Sequence, residues 1–290
     1  MTEAVIGIIF DFDETLGPDT ISYVLSEQGI EPVTFWKEIN GMVDKGWDPP
    51  LAYMHIMKLM ADRGELDLSV KKLSSLGKKL KLFPGLPNAF QELKEFVKNN
   101  PLLKNSRVGL EFYIISGGLE ELLKATKIGP QVDGIFGCNF AYDIKSGQQP
   151  VGIKSAISFT EKTRFIHGLR KGIDVATLRS DPYRINDAID TESQRIPFSH
   201  MIYIGDGPSD IPCLSAVTGN GGAGIGVSDP LGSFKKGYEL ARGKRITVGP
   251  YSANYKAGSD MRKVLEETIL RISLSIDIDH KKSVITAPGH

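Results

Sequence analysis

The chain has 290 residues, with 35 basic and 35 acidic side chains and a formal net charge of zero. This balance gives no global argument for binding to nucleic acid or to an anionic membrane. No stretch reaches the roughly 20 apolar residues of a membrane span, and the N-terminus lacks the basic segment of a signal peptide. We therefore expect a cytoplasmic protein with one large α/β domain, or with a domain and an insertion.

The first predicted element is a strand over the apolar run from Val5 to Phe10, which ends in Asp-Phe-Asp-Glu-Thr. Such a run is typical of a strand buried on both faces of a parallel sheet, and ligands bind beyond the carboxyl ends of such strands. Asp11 and Asp13 follow this strand. Two close buried carboxylates are costly unless a cation neutralises them or one takes a proton, and oxygen ligands favour Mg²⁺. The alternative is that both residues cap a turn or helix.

Residues 18–82 contain helical apolar patterns separated by Gly and Pro, but no convincing strand. An all-helical block between two sheet strands is typical of an inserted cap, which can close over a site and exclude water. The sequence thus predicts a core domain of residues 1–17 and 83–290, interrupted by a small helical cap domain of residues 18–82.

The rest of the chain alternates between strands and helices. We predict strands at 110–115, 135–138, 201–204 and 224–227, and a β-hairpin at 139–159 with its turn at 145–147. Helices are predicted at 87–99, 119–126 and 259–275, and another helix begins over 162–169. Residues 170–199 are polar and lack a clean period, and we expect an excursion of helix and loop there. The two cysteines, Cys138 and Cys213, are too few for a disulfide framework or a cysteine zinc site, and are expected to be reduced and buried.

Polar groups of different kinds follow or neighbour the predicted strands. Besides the first acid pair, these groups are Ser116 with Gly117, a lysine, and the pair Asp206 and Asp210. Since the carboxyl ends of parallel strands converge at one sheet edge, these groups could surround a single ligand. Taken singly, each has an ordinary alternative as a turn or a helix cap.

The chemical roles follow from charge. Asp11 beside a cation can be a nucleophile that forms an acyl-phosphate, and Asp13 can protonate the leaving oxygen and then activate water. Ser116 and the backbone N–H of Gly117 offer donors to phosphate oxygens, and a lysine can neutralise the transferring group. Asp206 can complete a Mg²⁺ shell, with Asp210 as a ligand or as a residue that orients one.

The order DFDET, a strand with SGG, a lysine and IGDGxSD resembles the haloacid dehalogenase-like (HAD) phosphohydrolase superfamily over roughly residues 5–230. The helical insert and the SGG sequence are similar to the phosphoserine phosphatase-like branch. The resemblance implies a Rossmann-like α/β core, with Mg²⁺ held by the carboxylates of Asp11 and Asp206 and the backbone carbonyl of Asp13. The superfamily's dehalogenases carry no acid at the position of Asp13, which disfavours that chemistry.

Two assignments stay open within this resemblance. Lys162 fits the family pattern better than Lys154, although residues 170–199 make the gap to Gly205 longer than is usual. That excursion could contribute to the site entrance or to a partner surface. Phosphoserine phosphatases also carry an acid that binds the substrate amino group, and Asp19 lies one place earlier and is one methylene shorter.

These phosphatases place a cap arginine against the substrate carboxylate, and Arg63 is the only arginine in the predicted cap. Arg63, His55 and Lys58 are therefore candidate substrate contacts. The alternative is that they are solvated helix residues. Phosphoserine is not assigned as the substrate.

The favoured hypothesis is a Mg²⁺-dependent phosphatase that hydrolyses a small phosphorylated metabolite, a phosphomonoester, through an aspartyl-phosphate on Asp11. One alternative is a phosphotransferase or phosphomutase of the same superfamily, which passes the phosphoryl group to an acceptor other than water. Another is a non-catalytic protein that senses phosphate esters, although a binding protein has no need of an acid/base at Asp13.

Overall fold

A computed structural model describes residues 4–103, 107–143, 148–190 and 193–285, with side chains to 281. Its sheet has seven strands in the order β4-β3-β2-β1-β5-β6-β7. Pairing is parallel except between β3 and β4. The strands are β1 (Ala4–Phe10), β2 (Val108–Leu119), β3 (Gly134–Tyr142), β4 (Pro150–Ser155), β5 (Met201–Gly205), β6 (Ala223–Ser228) and β7 (Val248–Ser252).

Helices follow or separate these strands, and the predicted α/β class with a Rossmann-like parallel sheet is confirmed. Side-chain caps start several of them: the carboxylate of Asp19 accepts a hydrogen bond from the backbone of α1, and Ser69 does the same for α4. The helices are α1 (Thr20–Ser26), α2 (Pro32–Val43), α3 (Pro49–Asp62), α4 (Val70–Lys79), α5 (Asn88–Asn99), α6 (Glu120–Ala125), α7 (Phe159–Lys171), α8 (Val175–Ser180), α9 (Ile211–Gly219), α10 (Lys235–Arg242) and α11 (Asp260–Ile285).

The central strand β1 is buried on both faces, as its continuous apolar run predicts. Ile8, Ile9 and Phe10 are fully buried, and burying a side chain of this size contributes about 1.5–3 kcal/mol. Phe90 of α5 covers one face, with its ring 5.5 Å from that of Phe10 and 4.6 Å from that of Phe112. The strand that carries Asp11 at its end is therefore held rigidly in the middle of the sheet.

The segment between β1 and α5 is helical, as predicted, and it packs closely on the rest of the molecule. Helix α4 lies so near α6 that a Cβ on Gly77 would stand 2.3 Å from the carbonyl oxygen of Leu122. The hydroxyl of Tyr142 donates to the carbonyl of Leu68 at 2.9 Å. The apolar side chains of this helical segment belong to the same buried cluster as those of the sheet. The division into a core at 1–17 and 83–290 and a cap at 18–82 stays a prediction.

The excursion at 170–199 contains α8 and short 3₁₀ turns, and ion pairs join it to α6 and to β2. A guanidinium nitrogen of Arg179 lies 2.7 Å from the buried Glu120, and Arg195 donates to Glu111 at 2.6 Å. In the part of the chain that the structure describes, no helix is long and apolar enough to cross a membrane.

Several boundaries differ from the predictions. Strand β2 continues through the SGG sequence to Leu119, and α11 extends beyond the predicted helix to Ile285. Strand β7 was not predicted, because its Gly249 and Pro250 are typical of a turn. Its place at the edge of the sheet, where a proline costs no ladder hydrogen bond, explains how it pairs nonetheless. The hairpin of β3 and β4 is confirmed, but its predicted turn at 145–147 lies outside the described residues. Both cysteines are buried and unpaired, as predicted.

Candidate active site

Two acids leave the sheet side by side at its carboxyl edge. Strands β1 and β5 are parallel neighbours with Phe10 opposite Ile204, so Asp11 and Asp206 follow them at nearly the same level. The backbone N–H of Asp11 donates to the carbonyl of Ile204 at 2.9 Å. Carboxylate oxygens of Asp11, Asp206 and Asp210 all lie within 4.8 Å of one another, and all three residues are buried.

Lys162 supplies a buried cation to this group of acids. Its Nζ lies 3.1 Å from Oδ2 of Asp11 and 2.8 Å from Oδ1 of Asp210, and its side chain is only 2% exposed. Helix α7 carries Lys162 in its first turn. Lys154, the other lysine considered from the sequence, is exposed on β4. The structure thus brings Lys162, and not Lys154, to Asp11.

Asp210 is held in place by several donors. Besides Lys162, the hydroxyl of Tyr203 donates to its Oδ1 at 2.8 Å, and the N–H of Gly207 donates to its Oδ2 at 3.4 Å. Gly205 makes room for it, since a Cβ there would stand 2.4 Å from that Oδ2. Tyr203 was missed in the sequence because a tyrosine inside an apolar strand carries no signal beyond burial.

Burial and the closeness of the carboxylates to one another raise the pKa values of Asp11 and Asp206. Burial, and then the nearby charge of Asp210, raises the pKa of Asp11 to about 6, while Lys162 acts in the opposite direction. Burial together with Asp210 and Asp11 raises the pKa of Asp206 to about 8. Burial by itself lowers the pKa of Lys162, but the nearby charges of Asp11 and Asp210 raise it above its ordinary value. Three buried carboxylates share one buried ammonium, so an oxygen-liganded divalent cation fits both the charge and the donor set.

Asp13 lines the same cavity and is hydrogen-bonded to the start of the helical segment. Its Oδ1 accepts a hydrogen bond from the backbone N–H of Thr20 at 2.8 Å. Burial, followed by the charges of Asp19 and Asp11, raises its pKa well above the ordinary value. Among the described residues, the cluster of three carboxylates does not include that of Asp13, and a contact of its backbone carbonyl with a metal stays a prediction.

In the SGG sequence, the serine hydroxyl is hydrogen-bonded to the backbone of the second glycine, and the first glycine lines the cavity. The Oγ of Ser116 is buried and accepts a hydrogen bond from the N–H of Gly118 at 2.9 Å. Gly117 lines the cavity, and its carbonyl accepts a hydrogen bond from the hydroxyl of Tyr53 in α3. That hydroxyl also lies 3.3 Å from the Sγ of Cys138. Tyr53 therefore ties the helical segment to the sheet edge, a contact that the sequence patterns did not reveal.

A cavity of about 250 Å³ opens over these groups. It lies between the sheet edge and helices α1 to α3, and one of its walls is largely apolar. Lys236, also missed in the sequence, stands at this site with its Nζ 2.7 Å from Glu14 and 3.4 Å from Asp206. The lining residues are Asp11, Asp13, Glu14, Asp19, Ile21, Trp36, Pro49, Pro50, Tyr53, Gly117, Ile157, Ser158, Phe159, Lys162, Asp206, Ser209 and Lys236.

The candidate substrate contacts separate into two groups. Asp19 lines the cavity, whereas Arg63 is exposed at the C-terminal end of α3 and is not among the lining residues. Lys58 pairs with Asp62 at 2.5 Å, and the His55 ring packs 5.1 Å from that of Trp47. Neither of these two side chains lines the cavity. Of these four candidates, all of which are described residues, only Asp19 lines the cavity.

Comparisons with known proteins agree with this geometry at the level of the fold. No family model matches the chain. The sequence is 29% identical over 233 residues to an uncharacterized protein of Borreliella burgdorferi, covering 73% of this chain and 78% of that protein.

Solved structures give a firmer comparison. A phosphoserine phosphatase with a phospho-aspartyl intermediate analogue has a TM-score of 0.53 at 17% identity, covering 91% of this chain and 99% of that one. A HAD family hydrolase of Salmonella enterica serovar Typhi has a TM-score of 0.51 at 19% identity, covering 83% of this chain and 66% of that one. This chain has the HAD-like fold of the phosphoserine phosphatase type.

Proposed function

We propose that the protein is a Mg²⁺-dependent phosphatase that hydrolyses a small phosphomonoester through an aspartyl-phosphate on Asp11. The observation that carries this proposal is the cluster of Asp11, Asp206 and Asp210, with carboxylate oxygens within 4.8 Å of one another and Lys162 in contact with two of them. The similarity of the fold to phosphoserine phosphatases supports it.

In the first step, a carboxylate oxygen of Asp11 attacks phosphorus, and the bond from phosphorus to the leaving alcohol breaks. Lys162 favours the ionised form of Asp11 against the effect of burial, and so helps to keep the nucleophile charged. Asp13, whose pKa is raised, donates its proton to the departing alcohol oxygen. The backbone at Gly117 offers an N–H group where charge develops on the phosphoryl oxygens.

In the second step, the now ionised Asp13 accepts a proton from water, and the water oxygen attacks the phosphorus of the aspartyl-phosphate. The bond from phosphorus to Asp11 breaks, and inorganic phosphate leaves. The carboxylates of Asp11 and Asp206 and the carbonyl of Asp13 would hold Mg²⁺, with Asp210 orienting Lys162. Bound Mg²⁺ supplies positive charge that neutralises the acids and the phosphoryl oxygens.

The helices at 18–82 act in this proposal as the cap, which excludes water from the cavity while the aspartyl-phosphate exists. The role proposed for Ser116 is to position the backbone at Gly117, since its hydroxyl accepts from the N–H of Gly118. Substrate contact is assigned to Asp19. A contact by Arg63 would require the cap to adopt another arrangement.

The test is phosphate release from p-nitrophenyl phosphate with Mg²⁺, with and without EDTA. We expect EDTA to abolish the release and Asp11→Asn to lose it, with an unchanged circular dichroism spectrum. Asp174→Asn, the same substitution at the exposed N-cap of α8, is the matched control and should keep full activity. Full activity in Asp11→Asn would remove Asp11 from its role. Phosphorylated products from added polyols would assign a phosphotransferase instead.

A further inference from the structure

The part of the cavity that receives the leaving alcohol differs chemically from the part that holds the phosphate. Trp36, Pro50, Tyr53 and Phe159 give it apolar and aromatic walls, and the carboxylate of Asp19 lines the same cavity. We infer that the cavity selects phosphomonoesters whose leaving alcohol carries no negative charge. This inference rests on the proposed function and specifies its substrate class.

The cations of the cavity are already neutralised. Among the lining residues, all of which lie in the described part of the chain, only Lys162 and Lys236 are positively charged. Lys162 is paired with Asp11 and Asp210, and Lys236 with Glu14 and Asp206. A second anionic group on the substrate would therefore find no cation on the leaving-group side that is free to receive it.

Asp19 makes this side of the cavity unfavourable to an anion. Its Oδ1 accepts a hydrogen bond from the N–H of Ser22 at 2.8 Å, but no described residue forms an ion pair with it. A substrate carboxylate next to Asp19 would meet a like charge in a partly buried space. Against Trp36 and Pro50 it would also lose water without gaining a donor in return. Neutral and ammonium-bearing alcohols meet neither cost.

The inference can be tested with phenyl phosphate and 4-carboxyphenyl phosphate, which differ by a single carboxylate. We expect the wild-type kcat/KM to be at least tenfold higher for phenyl phosphate. In Asp19→Asn this preference should fall several-fold, because the like charge is gone while asparagine still caps α1. Comparing the two proteins cancels the intrinsic reactivity of the two esters. Asp174→Asn should keep the wild-type preference.

A second readout needs no turnover. Phosphoethanolamine and phosphoserine also differ by one carboxylate, and their Kd values are measured on the Asp11→Asn protein with Mg²⁺, with and without Asp19→Asn. We expect phosphoethanolamine to bind at least tenfold more tightly, and Asp19→Asn to reduce this difference.

The outcomes separate the two proposals. Equal or better use of the carboxylated ester, or tighter binding of phosphoserine, would overturn the inference and leave the phosphatase proposal intact. A preference unchanged by Asp19→Asn would also overturn it, since the exclusion would not come from this side chain. Absence of turnover on both aryl esters would refute the phosphatase proposal, and the binding measurements would then decide the selectivity.

Discussion

Replacing Lys162 with methionine removes the buried cation at the centre of the site while nearly preserving the length and volume of the side chain. The ammonium lies 3.1 Å from Asp11 and 2.8 Å from Asp210, and the residue is 2% exposed. At an effective dielectric constant of about 20, each contact has a gross Coulomb energy of about 5–6 kcal/mol. Most of this is offset by desolvation, and losing one member of such a buried group costs about 3–5 kcal/mol net.

We therefore expect Lys162→Met to lower the free energy of unfolding by about 3–5 kcal/mol in EDTA and to abolish phosphate release with Mg²⁺. Urea titrations followed by circular dichroism measure the first effect, and an aryl phosphate assay measures the second. Lys154→Met, the same substitution at an exposed position of β4, should change stability by no more than about 0.5 kcal/mol.

A double variant sharpens this test. Adding Asp210→Asn to Lys162→Met removes one of the two carboxylates left without a counter-charge, so part of the lost stability should return. A loss below about 1 kcal/mol in the single variant, together with full turnover, would refute the view that Lys162 balances the charge of Asp11.

Two further predictions concern metal binding and the contact between the helical segment at 18–82 and the sheet. Burial and mutual repulsion raise the pKa values of Asp11 and Asp206 to about 6 and about 8. Between about pH 4 and 8, the folded protein without metal therefore holds more protons than the unfolded chain. Its free energy of unfolding should fall as the pH rises through this range. Mg²⁺ should then raise Tm more at pH 8 than at pH 5, and equal shifts in thermal melts would contradict this reasoning. Tyr53→Phe removes the donor to the carbonyl of Gly117, so KM for an aryl phosphate should rise several-fold with Tm nearly unchanged. An unchanged KM would show that this bond does not hold the helical segment at 18–82 over the site.

The sequence determined much of this protein because the relevant signals are local. The apolar run of β1 predicts a strand buried on both faces, and the acids that follow it must then lie at the carboxyl edge of the sheet. The same reasoning applies to Asp206 after β5, and parallel pairing brings these two acids to one level. The helical segment at 18–82 and the helix that carries Lys162 were also predicted from local patterns.

Other features depended on packing between distant segments. The sequence favoured Lys162 over Lys154, and the tertiary structure places it beside Asp11. Only the tertiary structure left Arg63 outside the cavity and brought Tyr53 to Gly117. No local pattern specifies such contacts, because they join residues tens to hundreds of positions apart, and the angles at which helices settle on the sheet decide them. The sequence determined which chemical groups gather at the sheet edge, and the packing of the helices above it decided which of the surrounding side chains reach them.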